Sequence, residues 1–481
     1  MQEIVKPYYN VGNVCSISIF WNRFVKYTNQ YIDSVKAKFA RDRDAKETDL
    51  IEIQAFIDLL YLAGAYRANR RRLEELWGTE GDGIEKFGLV MSIKRFEFLI
   101  RCIHFDDRTS HSQWKEYDRF CPIRELFDCF VHNCQKNYIP GENVTIDEML
   151  PGFCGKCGFR QYIQSKPTKY GIKIFPLVDA RMFYTYNMEI YAGRQPEGPY
   201  KVSNKPSDVV KRLAEPIFDT VCNITCDNWF SDIDLVNYLK EKKLSYVGTV
   251  RKNKKQLPPS FVNVRGRDQY SSLFGFNNGN TSISYIPKKG KNVILISSLC
   301  ETDAIDQSTG VQKKPEGITF YNITKGGVDT TDQMSATFNV SRNTRRWPMV
   351  IFFACLNIAC INSQVISIGN GLEALRRRIF LKTLSHQLVI VHLSRRSLNT
   401  SGMPTQLQLR LKSFLPQKER ETSSSIPPKR RKCGKCMAET GFRRMTNYEC
   451  HNCHEPICLS HVKPLCQTCY SAADSEGSFF S

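Results

Sequence analysis

A chain of 481 residues is too long for one hydrophobic core and predicts two to four domains, with an ordinary globular apolar content of 41%. Lysine and arginine outnumber aspartate and glutamate by 68 to 48, and the resulting charge of +20 favours a polyanion partner, nucleic acid ahead of an anionic membrane surface. The opening MQEIVKPYYNVGN lacks the apolar centre of a secretory signal, no apolar run approaches the roughly 18 residues of a spanning helix, and nineteen cysteines in a chain of this size point to metal in a reducing compartment.

Residues 1–140 read as mostly helical. TDLIEIQAFIDLLYLAGAY (48–66) opens with a Thr/Asp cap signal and carries apolar residues at helical spacing; SIKRFEFLIRCIHF (92–105) and CPIRELFDCFVHNCQKNY (121–138) are further amphipathic stretches. The basic run Arg67, Arg70, Arg71 and Arg72 suits either DNA phosphate or a solvated helix face. A β-branched run then ends at Asp147 in VTIDEML, followed by a lone CxxC, Cys154 and Cys157, which reads as a turn. YGIKIFPLVDAR (170–181) and FYTYNMEIYAG (183–193) predict two strands joined by a very short turn. SDVVKRLAEPIFD (207–219) predicts a helix capped by Ser207 or Asp208, and NITCDNWF a strand ending at Asp227. A helix through DIDLVNYLKEKK (232–243) and a strand in LSYVGTVR (244–251) follow.

Strand, hairpin, helix, strand, helix, strand is the succession of an α/β RNase H-like nuclease core. A third acidic residue is expected on a helix after the last strand, and Asp329 in KGGVDTTDQM supplies it, with Asp332 on the same helix face. Its delay predicts an insertion, 252–318, read as a small antiparallel β subdomain from SISYIP (282–287) and KNVILISSL (291–299). The insertion's lysines (Lys252, Lys254, Lys255, Lys288, Lys289, Lys291) suit contact with a DNA backbone. RNTRRWPMVIFFACLNIACINS (342–363) reads as a basic lead into an apolar helix, with more helix at 371–392. Residues 395–432 read as a linker, ten basic residues against two acidic, in which PPKRRK (427–432) resembles a nuclear localisation signal. The predicted domains are therefore helical at 1–140, catalytic at 141–251 and 319–340, β-rich at 252–318, helical again at 341–394, linker at 395–432, and cysteine-rich at 433–471.

Carboxylates delivered from strand ends converge at one end of a sheet, where their mutual repulsion favours hard cations. The expectation is two Mg²⁺ ions, with Mn²⁺ as substitute, held by Asp147, Asp227 and Asp329, an arrangement that cuts and rejoins phosphodiesters. Arg160, Lys166, Lys169 and Lys173 follow the first aspartate closely and are expected to grip flanking phosphates. At the other end of the chain, Cys433, Cys436, Cys450, Cys453, Cys458, His461, Cys466 and Cys469 form three CxxC pairs and one CxxH pair, enough for two structural Zn²⁺ ions. Such pairs usually interleave, which assigns Cys433, Cys436, Cys458 and His461 to one ion and Cys450, Cys453, Cys466 and Cys469 to the other. His451 and His454 read as surface residues of this small module.

TIDEML, FRQYIQSKPTKYGIKI, CDNWFSD, KGGVDTTDQM, RNTRRWP and the terminal Cys/His cluster, in this order, resemble the piggyBac-type DDE/DDD transposases over about 90–480. The resemblance implies an RNase H-like catalytic domain with an insertion, and a helical dimerisation and DNA-binding domain built from segments on both sides of it. It makes Asp147, Asp227 and Asp329 the metal-binding triad, Asp332 a fourth acidic residue of that site, and Trp347 a tryptophan beside it in contact with DNA. It further implies a homodimer acting in the nucleus on double-stranded DNA, excision of the element through a hairpin intermediate, insertion at TTAA, and a Cys/His module that reads the terminal repeats. Relatives carry an acidic N-terminal region before the helices. This chain begins almost directly with helix-like sequence, which predicts a truncated or shed segment. The rivals are a ubiquitin ligase or chromatin reader, suggested by the Zn module alone, and a domesticated transposase that binds DNA without cutting it.

Overall fold

The computed structural model describes residues 18–78, 83–415, 430–441, 443–450 and 455–462. Among the described residues, seven α-helices precede the first strand: α1 (Ser18–Lys36), α2 (Leu50–Ala65), α3 (Leu73–Trp77), α4 (Glu85–Val90), α5 (Ile93–Cys102), α6 (His111–Lys115) and α7 (Arg124–Lys136). The starts of α2 and α5 follow the local chemistry of their sequences. Asp49 caps α2 by accepting the Glu52 N–H, and Ser92 caps α5 by accepting that of Arg95.

The sheet begins with β1 (Asn143–Ile146), followed by the two-residue pair β2 (Gln161–Tyr162) and β3 (Tyr170–Gly171), which stands apart from it. β4 (Ile174–Asp179) and β5 (Thr185–Ile190) form the predicted hairpin. Its turn is fixed by Asp179, whose Oδ1 accepts the backbone N–H groups of Arg181 and Met182. α8 (Pro206–Ala214) starts earlier than expected: Lys205 occupies the cap position and Pro206 the first turn, so neither Ser207 nor Asp208 caps it. β6 (Asn223–Cys226), α9 (Ile233–Glu241) and β7 (Ser245–Thr249) follow, with Asp232 capping α9.

The segment after β7 holds a short helix, α10 (Pro259–Val262), and the antiparallel strands β8 (Ser272–Asn277), β9 (Asn280–Lys288) and β10 (Lys291–Ser297). These strands differ from the separate β subdomain expected from sequence. β10 pairs antiparallel with β7, setting Leu295 opposite Thr249 and Ser297 opposite Val247, so all three extend the central sheet. The result is one mixed eight-stranded sheet in the order β5-β4-β1-β6-β7-β10-β9-β8, in which β1, β6 and β7 are parallel. The physical reason is the otherwise open edge of β7, which β10 covers.

Two helices, α11 (Glu316–Thr324) and α12 (Gly327–Thr337), return the chain to the sheet before α13 (Trp347–Gly369), α14 (Arg377–Leu398) and α15 (Thr405–Lys412). α13 corrects the expectation about apolar runs: by length and composition it is enough to cross a membrane, yet 83% of its most apolar stretch is buried inside the protein. Its buried asparagines show why it sits there. Asn362 accepts the Thr185 N–H at 2.9 Å and donates to the Thr185 carbonyl at 2.8 Å, closing the edge of β5. Phe352 joins Phe24 and Phe105, with ring centroids 5.2–5.8 Å apart, so helices from both ends of the chain share one core. Asp58 on α2 meets Lys86 of α4 and Ser385 of α14 within the same assembly.

The stretch predicted as linker is helical for part of its length. α14 runs to Leu398, and α15 packs with Leu411 fully buried and Arg410 paired to Glu85 at 2.6 Å. Residues 427–429 of the basic PPKRRK stretch lie outside the described residues, as do His451, His454, Cys453, Cys466 and Cys469.

Candidate active site

β1 and β6 run parallel with Ile146 opposite Cys226, so Asp147 and Asp227 leave the sheet side by side at the carboxyl ends of neighbouring strands. Alternation along a strand puts Thr145 on the face of Asp147, and Thr225 on that of Asp227. Both threonines are used: Thr145 Oγ1 donates to the Thr324 carbonyl at 2.6 Å, and Thr225 Oγ1 to Thr324 Oγ1 at 2.8 Å. They dock the end of α11 on this face, and two residues later α12 begins. Gly327, its first residue, passes so close to β1 that a Cβ there would lie 2.9 Å from Thr145 Oγ1. This close approach carries Asp329, in the first turn of α12, over the strand ends. Asp147, Asp227 and Asp329 line one cleft of about 210 Å³ together with Tyr321 and Lys325.

The aspartates are held by their own turns. Asp147 Oδ1 accepts the Glu148 N–H and Asp227 Oδ1 the Trp229 N–H, both at 2.8 Å. Trp229 is fixed by stacking on Phe175, centroids 5.5 Å apart, and by Lys173 Nζ 4.2 Å above its ring. Burial, and next the neighbouring Glu148, push the Asp147 carboxyl up to about 7, with Asp227 adding to the rise. Burial also raises the Asp332 carboxyl, which sits half-buried one turn beyond Asp329.

The basic residues divide by position. Lys166 reaches into the site, donating to the Glu148 carbonyl at 2.9 Å and lying 3.8 Å from Asp329. Lys173 lies 4.0 Å from Glu148 and is mostly covered. Arg160 donates to the carbonyls of Cys154 and Gly155 and covers the Tyr170 ring, tying down the CxxC turn, while the Lys169 side chain is exposed. Trp347 opens α13 between Phe120 (centroids 5.9 Å, stacked) and Phe159 (5.0 Å, edge-on), on the wall of a second cleft with Arg345 and Arg346. Sequence reasoning missed Glu148, since strict alternation turns it away from Asp147; its acidity beside a strand end was the available signal.

In the C-terminal module the first of the two predicted ligand sets comes together among the described residues. Cys433, Cys436, Cys458 and His461 bring one donor atom each to within 4.8 Å of the others, with His461 Nδ1 3.3 Å from Cys458 Sγ and 3.5 Å from Cys436 Sγ. Three thiols and an imidazole fit zinc. His461 Nε2 lies 3.0 Å from Glu439, a carboxylate placed as those that orient histidine ligands are. Cys433 joins the hairpin of β11 (Arg431–Lys432) and β12 (Met445–Thr446) to α16 (Gly434–Thr440), which carries Cys436, while Cys458 and His461 sit at the start and end of the 3-10 turn Leu459–His461. Of the second predicted set only Cys450 is among the described residues.

A transposase IS4 family model matches residues 18–364. Human piggyBac transposable element-derived protein 3 is 22% identical over 354 residues, 70% of this chain, and human piggyBac transposable element-derived protein 2 is 24% identical over 213 residues, 43% of this chain. The chain spans 57% of the length of the first and 35% of the second. The solved structure of a piggyBac transposase synaptic complex with hairpin DNA superposes with a TM-score of 0.79 at 35% identity, covering 96% of this chain and 97% of that one. An eight-stranded sheet that gathers three aspartates, matched along nearly its whole length by that structure, places this chain in the piggyBac-type transposase family.

Proposed function

We propose that this protein is a metal-dependent DNA strand-cleaving and strand-transferring transposase, acting on terminal repeats and TTAA targets as a nuclear homodimer. The observation that carries this reading is the convergence of Asp147, Asp227 and Asp329 on one cleft at the carboxyl ends of adjacent parallel strands. The first five long strands, taken in chain order, lie side by side as 3-2-1-4-5, which supports an RNase H-like core. The neighbouring solved structure is itself a complex with DNA.

The donor set fits Mg²⁺. All three side chains offer hard oxygen, and burial, with Glu148 and Asp227 nearby, raises the Asp147 carboxyl, so a dication that neutralises the ionised form would be favoured there. Bound by Asp147, Asp227 and Asp329, a pair of Mg²⁺ ions (or Mn²⁺) supplies activation of the attacking oxygen and stabilisation of the departing 3′-oxygen. The chain's own residues set the rest. Lys166 positions a positive charge against Asp329, where a scissile phosphate enters, and Lys173 holds Glu148 and Trp229 so that Asp227 keeps its orientation. Arg160 lines a separate cleft with Lys156 and Arg345, and Trp347 with Arg345 and Arg346 lines another; both suit a DNA backbone, as does the exposed Lys169. Asp332 adds a fourth carboxyl on the helix that carries Asp329.

A duplex carrying the element's terminal repeat, incubated with Mg²⁺ and resolved on a denaturing gel, tests this: nicking and hairpin products support it, and binding without cleavage removes it. The second reading, a transposase-derived nuclear protein that only binds DNA, is favoured by the human relatives being named as element-derived. The complete acidic triad argues for catalysis.

Two expectations follow from the geometry. Raising Asp147 to about 7 means the folded chain without cation binds this proton more tightly than the unfolded chain. Its stabilising contribution is therefore full below the ordinary carboxylate value and is lost as pH rises through about 7. Cation binding runs the other way because it uses the ionised form, so the apparent Mg²⁺ affinity falls about tenfold per pH unit below 7. Thermal-shift titrations with Mg²⁺ at pH 6 and pH 8 read this directly; equal affinities at both would contradict it. Gly327→Ala presses on Thr145, whose hydroxyl is already committed to Thr324, and so lifts α12 from β1. We expect folding stability to fall by about 1–3 kcal/mol, and cleavage to fall further than the same loss caused by a substitution remote from the cleft.

A further inference from the structure

A second group of metal-ligating side chains lies outside both the aspartate cleft and the cysteine-rich module. Asp106, His111 and Cys121 each bring one donor atom to within 4.8 Å of the other two, and all three are half-buried. They come from three different pieces of backbone: the loop after α5, the first residue of α6, and the first residue of the 3-10 turn Cys121–Ile123 that leads into α7. His111 Nδ1 lies 2.5 Å from Asp106 Oδ2, a hydrogen-bond contact that keeps ring and carboxylate together and that opens slightly when both ligate one ion.

We propose that Asp106, His111 and Cys121 form a transition-metal site, of the kind filled by Zn²⁺, which staples α6 to the turn beneath Trp347. The mixed donor set decides the class of ion. A thiolate, an imidazole and one carboxylate select a borderline metal such as Zn²⁺ over Mg²⁺ or Ca²⁺, which take oxygen. The charge also closes: two anionic ligands and a dication sum to zero, so the nearby arginines do not exclude the ion. Arg346 is in any case turned to the backbone, donating to the carbonyls of Arg101 and Ile103, and Arg108 lies over the Tyr31 ring.

Three protein ligands leave one position open. Asp106 and His111 line the cleft of about 410 Å³ that also exposes Trp347, so that position is reached by water or by an anionic oxygen entering the cleft. Phe120, which stacks on Trp347, immediately precedes the cysteine ligand. A bound ion would therefore fix the floor on which the tryptophan rests. The ordinary alternative is an ion pair between Asp106 and His111 with a bystander thiol, and it makes the opposite prediction for metal content.

The test is zinc stoichiometry of the full-length chain by mass spectrometry, after equilibration with Zn²⁺ and removal of free ion, for the wild type, Cys121→Ser and Asp106→Asn. Asp106→Asn retains an oxygen facing His111 and so preserves the local packing; circular dichroism verifies the fold of both variants. The C-terminal ligands are intact in every sample, so only the difference counts. One ion fewer per chain in both variants is the expected result, matched in Co²⁺ titrations by loss of one equivalent of tetrahedral d–d absorption. Wild-type stoichiometry in either variant overturns the proposal.

Discussion

Asp227→Asn is expected to abolish Mg²⁺-dependent strand cleavage, by about 10³-fold or more, while binding of the same duplex stays near the wild-type level. The substitution is close to isosteric, and the amide oxygen can still accept the Trp229 N–H that the carboxylate accepts at 2.8 Å. The turn and its Trp229–Phe175 stack therefore persist. What disappears is a full negative charge among three carboxyl groups, and with it the neutralisation that draws a dication into the cleft. The same variant removes one of the lesser causes that raise Asp147, whose shift is set first by burial and next by Glu148, so that carboxyl should stay raised. Paired measurements of cleavage and duplex binding decide the matter. Cleavage at the wild-type rate would show that the three aspartates are not the catalytic set.

Removing zinc, or replacing Cys436 by serine, is expected to unfold the module around Cys433–His461 and to reduce preference for terminal-repeat DNA over scrambled DNA by tenfold or more. Cys436 Sγ lies within 3.6 Å of Cys458 Sγ and 3.5 Å of His461 Nδ1, so it sits at the centre of the ligand set. Beyond α16, the two-residue strands β11 and β12 and a few buried cysteines, little among the described residues of this module could hold it together without an ion. Metal binding supplies the folding energy of such small units. Non-specific affinity, driven by the chain's +20 charge, should survive and weaken with salt in the usual way. Chelation that left the preference intact would detach the module from end recognition.

Much of the acidic site was legible along the chain because its parts are local. Asn143–Ile146 and Asn223–Cys226 are short runs rich in β-branched residues, each closed by an aspartate, and the Gly-Gly turn before Asp329 marks a helix start. The cysteine pairs likewise grouped Cys433, Cys436, Cys458 and His461 by spacing, and these four converge. Ligand spacing is a property of a few adjacent turns, and so it survives without knowledge of the fold.

What the tertiary structure alone decided is everything that depends on which surfaces find each other. β10 reaching β7 turned an expected subdomain into an extension of the main sheet, because an open strand edge takes the partner that best covers it. Burial of α13 brings Asn362 to Thr185, 177 residues away, and the docking of α15 buries Leu411 and leaves Arg410 beside Glu85, 325 residues away, at its exposed rim. The Asp106–His111–Cys121 group is invisible to spacing rules, since its members stand on a loop, a helix start and a 3-10 turn brought together as α6 packs against Cys121–Ile123. Sequence specified the chemistry at each strand end and in the cysteine pairs. Long-range pairing of edges and helix faces specified which of those chemistries share a site.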